Sequence, residues 1–283
     1  MSTYPTAMPA IITPFTSDGE LDPTAHANNV SQMLSEGVAG FVVAGSTGEG
    51  PYLEPGERQT LVHATKAAAP DAFLLCGVNA ESVRQAIAQI DEAETAGADA
   101  ALVATPGTLV RGNEPGVEEF YRRVADESGL PVFLYTVPKV TGYVLPTMSI
   151  NTLGSHPNIV GIKDSGGDPT RILEIRDSID RGFVVYAGAS RALHASHTNG
   201  GHGAITASAN YAFALVRDAA AGDGEAQRVL TQLTSVIERH GVPGTKLAAG
   251  LVGRSNGLAR PPLVDVSPAA AAEIQAALDL AQR

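Results

Sequence analysis

The sequence predicts an α/β chain folded as a (β/α)8 TIM barrel with a C-terminal helical extension. Three observations carry this. Short apolar runs recur eight times, helical patterns fill the gaps between them, and the 283 residues suit a fold that typically needs roughly 250. The runs lie at 8–13, 40–44, 73–78, 99–104, 131–137, 159–163, 183–187 and 202–206. Most are continuously apolar, as in Gly40-Phe41-Val42-Val43-Ala44 and Phe183-Val184-Val185-Tyr186-Ala187. Such runs suit parallel strands covered on both faces, whereas a half-exposed strand would alternate. Eight strand–helix repeats favour a closed barrel over an open doubly wound sheet.

The helical segments follow in order. Segment 24–36 opens after Asp22-Pro23; 55–69 has Pro55 in its first turn and carries Glu57; 80–96 starts at Glu81-Ser82 and stops before Gly97. These are the expected capping and stop signals. Segments 115–128, 147–154, 169–180 and 190–200 complete the alternation, and 225–240, 243–252 and 267–282 read as helices beyond it. The barrel is therefore expected over 1–224, with 225–283 a helical extension of the same domain.

The balance of 19 basic against 30 acidic residues, a net charge of -11, repels phosphate backbones and anionic lipid, so neither nucleic acid nor membrane is an expected partner. The N-terminus lacks a signal-peptide pattern and no apolar run is long enough to span a bilayer, so the expected location is cytoplasmic. The single Cys76 sits in a buried-strand pattern and is read as a small hydrophobe without chemistry. The 30 glycines are dispersed at turns and mark no linker.

Barrel topology places chemistry at the C-terminal ends of the strands. Thr13-Pro14, Gly45-Ser46-Thr47-Gly48-Glu49, Tyr135, Lys163, Gly188 and Thr206 fall there. Lys163 is the outlier among four lysines: it closes the apolar run Ile159-Val160-Gly161-Ile162, whereas Lys66, Lys139 and Lys246 have ordinary settings, Lys246 in a helical tail. An ammonium among apolar groups loses solvation, which favours neutral amine, and neutral amine attacks carbonyls to form Schiff bases. The same residue could instead bury its stem and pair with Asp164. Ser46 and Thr47, flanked by glycines, can cradle a carboxylate or merely cap a helix. Nucleotide phosphate is excluded there, since the loop lacks the Walker lysine and the dinucleotide spacing. Tyr135 can shuttle protons beside the amine, or be a tyrosine satisfied by backbone. His194, His197 and His202 lack an evident third ligand, so neither a metal nor another cofactor is expected.

These residues resemble the dihydrodipicolinate synthase / N-acetylneuraminate lyase family of class I aldolases along nearly the whole chain. The matching segments are Ile12-Thr13-Pro14-Phe15, Gly45-Ser46-Thr47-Gly48-Glu49, Leu134-Tyr135-Thr136-Val137-Pro138, Gly161-Ile162-Lys163-Asp164-Ser165 and Gly201-His202-Gly203-Ala204-Ile205-Thr206. The resemblance implies that Lys163 forms a Schiff base with pyruvate or another 2-oxo acid, that Tyr135 relays protons, and that Ser46 and Thr47 hold the carboxylate. Ser165, Gly188 and Ile205 complete the implied substrate-binding set. It also implies a homo-oligomer, a dimer or a tetramer built of dimers.

Two departures bear on substrate. Where the family usually carries a relay tyrosine after strand 4, this chain reads Thr105-Pro106-Gly107-Thr108-Leu109-Val110-Arg111, so either Thr108, water or substrate takes its place, or the relay is slower, or the chain has drifted from the parent reaction. Where dihydrodipicolinate synthases carry an arginine for the aldehyde's carboxylate, this chain has Pro138-Lys139-Val140-Thr141-Gly142. The stretch from His156 to Arg171 looks most like the 4-hydroxy-2-oxoglutarate aldolase branch. The expected function is thus a pyruvate-dependent aldolase or lyase acting on a 4-hydroxy-2-oxo acid, with Tyr135 taking the C4 hydroxyl proton. Dihydrodipicolinate (4-hydroxy-tetrahydrodipicolinate) synthase is the alternative, and a non-catalytic 2-oxo-acid-binding protein the second alternative.

Overall fold

A computed structural model describes residues 4–179 and 182–281. Eight strands form one all-parallel sheet: β1 (Ala7–Pro9), β2 (Gly40–Val43), β3 (Phe73–Val78), β4 (Ala100–Ala104), β5 (Val132–Thr136), β6 (Ile159–Asp164), β7 (Val184–Ala187) and β8 (Gly203–Thr206). β1 pairs with β8, and the Ala10–Val42 bridge joins the first strand's end to β2, closing the barrel. The strand expected over 8–13 leaves the ladder after Pro9. Beyond it Ile11 N–H donates to Val42 O at 3.0 Å, while Ile12 N–H donates to the Asn210 side chain at 3.0 Å. A side-chain amide thus finishes the work of the strand.

Both faces of the sheet are buried, which is why the runs lack alternation. Val43, Leu74, Val103, Leu134, Ile162 and Val185 face the helices, whereas Val42, Leu75, Leu102, Phe133, Tyr186 and Ile205 fill the interior. Gly161 makes room there, because a methyl on it would strike the Phe133 ring.

The outer helices are α1 (Pro23–Ser35), α2 (Glu57–Ala68), α3 (Val83–Thr95), α4 (Glu114–Glu127), α5 (Pro138–Thr141), α6 (Thr147–Gly154), α7 (Pro169–Ser178), α8 (Leu193–Thr198) and α9 (Phe213–Ala220). Asp22, Ser82, Asn113 and Asp168 cap α1, α3, α4 and α7 through their side chains. The segment expected as a helix over 190–200 divides into a 3-10 turn, Ser190–Ala192, and α8. The short α5 and α9 were not anticipated; α9 buries Phe213, Val216, Ala219 and Ala220, a helical spacing that the sequence does carry. Positions 180 and 282, the expected ends of two helices, lie outside the described residues. Beyond α9 come α10 (Gly224–Ile237), the one-turn helix Glu238–His240, α11 (Gly241–Leu251) and α12 (Pro268–Ala281). Leu233, Ile237, Ala248, Ile274 and Leu278 form their shared core with Tyr211. Among the described residues, no helix is long and apolar enough to cross a membrane.

His26 ties α1 to α2 by its contact with Thr65 Oγ1 at 2.8 Å. Burial pushes its pKa down to about 4. The unfolded imidazole protonates near 6.5, so the unfolded state binds this proton first. The stability that depends on a neutral His26 is intact above about pH 6.5 and is lost as pH falls toward 4, roughly 3 kcal/mol in all. Denaturant titrations at pH 7 and pH 4.5 are expected to differ less in His26→Gln than in the parent.

Candidate active site

Lys163 lies on β6 in register with Tyr135 on β5 and Tyr186 on β7. Register neighbours point to the same side of a sheet, so the lysine enters the barrel with them. Only 5% of it is exposed, and its Nζ sits 4.4 Å from the centroid of the Tyr135 ring. Asp164 is not its partner. That carboxylate points the other way, accepts from Arg171 Nε at 2.9 Å and from Gly166 N–H at 2.7 Å, and is spent. Among the described residues, no ion pair or hydrogen bond engages the Lys163 amine. Gly188 leaves the space beside it: a methyl there would sit 3.0 Å from Lys163 Cε and overlap Ser165 Oγ.

The loop after β2 brings Ser46 and Thr47 to the same mouth, and Ser46 Oγ lies 3.4 Å from the Tyr135 hydroxyl. It is bracketed by two non-glycine residues in the left-handed region, Ala44 (φ 55°) and Glu49 (φ 57°). Such conformations persist only where the surroundings enforce them. Asn79 Nδ2 donates to Ala44 O at 3.1 Å, Thr13 Oγ1 donates to Gly48 O at 2.6 Å, and Gly50 and Gly77 approach Ala44 O so closely that neither tolerates a Cβ.

Glu49 is buried and paired with Lys246 of α11, and it accepts from Arg260 N–H at 2.8 Å. This corrects the reading of Lys246 as an ordinary tail lysine. It is 2% exposed, donates to Leu258 O at 2.5 Å and lies 4.8 Å from the Phe15 ring centroid. Burial pulls its pKa down, against the pull of Glu49.

Ser46, Thr47, Tyr135, Lys163, Ser165 and Gly188 all line one cavity of about 800 Å³. Ile205 does not reach that wall and packs in the barrel interior. Thr108 lines the wall, its N–H held by Glu81 at 3.0 Å. Val140 is 66% exposed, and Lys139 beside it lines the cavity. Arg111 lines it too, with Nη1 3.0 Å from where a methyl on Gly142 would stand, so a guanidinium from the β4 loop reaches the β5 loop. Sequence reasoning missed Arg111, Asn79 and Glu238 as wall residues. Asn79 was within reach, because it immediately follows β3 at the mouth.

His194 and His197 lie on α8, outside the barrel, and His202 contacts Tyr4 O at 3.0 Å just before β8, at the end opposite the mouth. No group of three metal-ligating side chains gathers among the described residues.

The cavity brings a buried amine, a phenol and two hydroxyls to one mouth, and known proteins resemble this chain along most of its length. A 4-hydroxy-tetrahydrodipicolinate synthase from Chelativorans sp. (strain BNC1) is 33% identical over 280 residues, 95% of each chain. A protein of the same name from Xanthomonas campestris pv. campestris is 40% identical over 202 residues, 71% of this chain and 67% of that one. The crystal structure of YagE, a prophage protein of the dihydrodipicolinic acid synthase family from E. coli K12, was solved with pyruvate; it superposes with a TM-score of 0.92 at 26% identity, covering 99% of both chains. The sequence pattern of the Dihydrodipicolinate synthetase family matches residues 4–281. This chain therefore belongs to the dihydrodipicolinate synthetase family of Schiff-base-forming carbon–carbon lyases.

Proposed function

We propose that Lys163 carries pyruvate as a Schiff base and that the protein joins this unit to an aldehyde or releases it from one. The observation that carries the reading is the uncommitted, 5% exposed amine of Lys163 in the barrel mouth. The amine adds to the C2 ketone and water leaves to give an iminium. In the cleavage direction the electron pair of the C3–C4 bond flows toward the cationic nitrogen; in condensation the enamine returns it to the aldehyde carbon. Tyr135, beside the amine and within reach of Ser46, carries protons as the carbinolamine forms and dehydrates. Ser46 and Thr47 bind the carboxylate.

The names of the relatives support 4-hydroxy-tetrahydrodipicolinate synthesis, with aspartate semialdehyde as acceptor. Arg111 supports it too, since it brings a guanidinium beside Gly142, two residues beyond Val140 on the same loop. The second reading, cleavage of a 4-hydroxy-2-oxo acid, rests on Val140 itself, an exposed apolar side chain where the family resemblance expects an arginine. A dimer-based assembly is part of the proposal, and sedimentation equilibrium reads it.

Borohydride added with pyruvate is expected to leave a reduced adduct on Lys163, located by peptide mass analysis. An unmodified Lys163 peptide would overturn the proposal. Turnover of aspartate semialdehyde with pyruvate, against cleavage of 4-hydroxy-2-oxoglutarate, separates the two readings.

A further inference from the structure

Among the described residues, three carboxyl groups line the cavity: Glu49, Glu81 and Glu238. Two are fully engaged. The oxygens of Glu49 serve Lys246 and Arg260 N–H, and those of Glu81 accept from Gly107 N–H at 3.2 Å and Thr108 N–H at 3.0 Å. Glu238 differs. Its Oε1 accepts from the Ser190 hydroxyl at 2.5 Å, and among the described residues no hydrogen bond engages Oε2.

The anchor behind it is built. Ser190 Oγ lies 2.8 Å from Ser208 Oγ, which lies 2.9 Å from Thr206 Oγ1, and all three residues are buried. Since Ser190 spends its proton on Glu238, its oxygen accepts from Ser208, and Ser208 accepts from Thr206. Every proton of the chain then points toward Glu238, and the chain starts at the last residue of β8. One carboxyl oxygen is held firmly, and the other is left for a ligand.

The charges around the group are mixed. Lys139 of α5 and Arg191 of the Ser190–Ala192 turn act on it, and both line the cavity. Within its own turn, Arg239 and His240 are directed to Glu273 of α12, at 2.5 and 3.9 Å. Tyr211 is buried nearby, its hydroxyl without a hydrogen-bond partner among the described residues. Burial pushes the Glu238 carboxyl above the ordinary carboxylate range, against the pull of Ser190, Lys139 and Arg191. A carboxyl so placed exchanges protons nearer neutral pH than an exposed one does.

We propose that Glu238 is the acid–base residue for the oxygen on the aldehyde half of the substrate. The inference rests on the Schiff-base reading and moves one proton away from Tyr135, which is committed to the nitrogen end by its contact with Lys163 and Ser46. In cleavage, ionised Glu238 takes the proton of the C4 hydroxyl; the O–H pair becomes the second C–O bond, the C3–C4 bond breaks, and its pair forms the enamine while neutralising the iminium. In condensation, protonated Glu238 returns that proton to the oxygen as the aldehyde carbon is attacked. No oxidant, reductant or further co-reactant is needed.

The test is Glu238→Gln, with Glu238→Asp beside it. The probe is whichever the wild type turns over, aspartate semialdehyde with pyruvate or 4-hydroxy-2-oxoglutarate, followed by coupled assay. Glu238→Gln is expected to lower kcat/KM about 100-fold or more and to remove the limb of the pH profile that Glu238 sets, the acidic one in cleavage, where it must be ionised, and the alkaline one in condensation, where it must be protonated; Glu238→Asp is expected to recover part of the rate and a displaced limb. Borohydride trapping of pyruvate on Lys163 in the same variant is expected to succeed, which shows that the barrel is folded. A Gln variant with wild-type kcat/KM and an unmoved limb of the pH profile would overturn the assignment of Glu238 alone. Failure of trapping in the wild type, or turnover of neither probe, would overturn the Schiff-base reading and this one with it.

Discussion

Lys163→Arg is expected to abolish turnover, by on the order of 10⁴-fold or more in kcat/KM, a scale typical of losing a nucleophile. Arginine keeps the positive charge and most of the length, so a purely electrostatic role for Lys163 would survive the change. It cannot supply a neutral amine, so a Schiff-base role would not. Lys163→Met sharpens the contrast. Lys163 is a buried amine for which no ion pair or hydrogen bond is present among the described residues, an arrangement that costs free energy. Methionine removes the polar nitrogen and fills similar space. We expect Lys163→Met to be equally inactive yet to melt no lower than the parent, the usual sign that a residue is kept for activity at the expense of stability. Retained turnover in either variant, read by pyruvate-dependent coupled assay, would sink the assignment.

Lys246→Met is expected to destabilise the protein strongly, although it lies outside the barrel strands. The change strands the carboxylate of Glu49 in a site where its side chain is fully buried. Breaking one partner of a buried pair typically costs about 3–5 kcal/mol, which at this chain length corresponds to roughly 10 °C or more in Tm. Glu49 is also a left-handed residue at the edge of the Ser46–Thr47 loop, so its release frees the loop proposed to bind the 2-oxo carboxylate. The KM for pyruvate is therefore expected to rise together with the loss of Tm. Glu49→Gln combined with Lys246→Met removes both charges and is expected to recover much of the stability. Calorimetry and steady-state kinetics on the three variants check this; equal Tm for Lys246→Met and the parent would refute it.

The barrel was legible because burial on both faces writes an unbroken apolar run, and because Lys163 interrupts one. The cradle was legible for the same local reason: two hydroxyls between glycines are visible within five residues. What the sequence hid is made by contacts across the chain. Lys246 looks like any lysine on a small-residue helix, and only its meeting with Glu49, nearly two hundred positions earlier, explains its burial. Glu238 follows an amphipathic helix and has no distinguishing neighbours; its meaning comes from Ser190, on a different loop of the barrel. Ile205 shows the converse, since the family resemblance implied a substrate contact and its inward direction buries it in the interior.

The cavity wall draws Ser46, Tyr135, Lys163 and Ser165 from the strands and their loops, but Glu238, Gly241, Val242, Thr245 and Leu263 from the segment that follows α10. The lysine and part of the cavity wall are thus written in separate stretches of the chain. Variation in the second stretch can reshape that wall while leaving Lys163 unchanged. The same division tells an engineer where to randomise: a library confined to Gly241, Val242, Thr245 and Leu263 alters the wall without touching either Lys163 or Glu238.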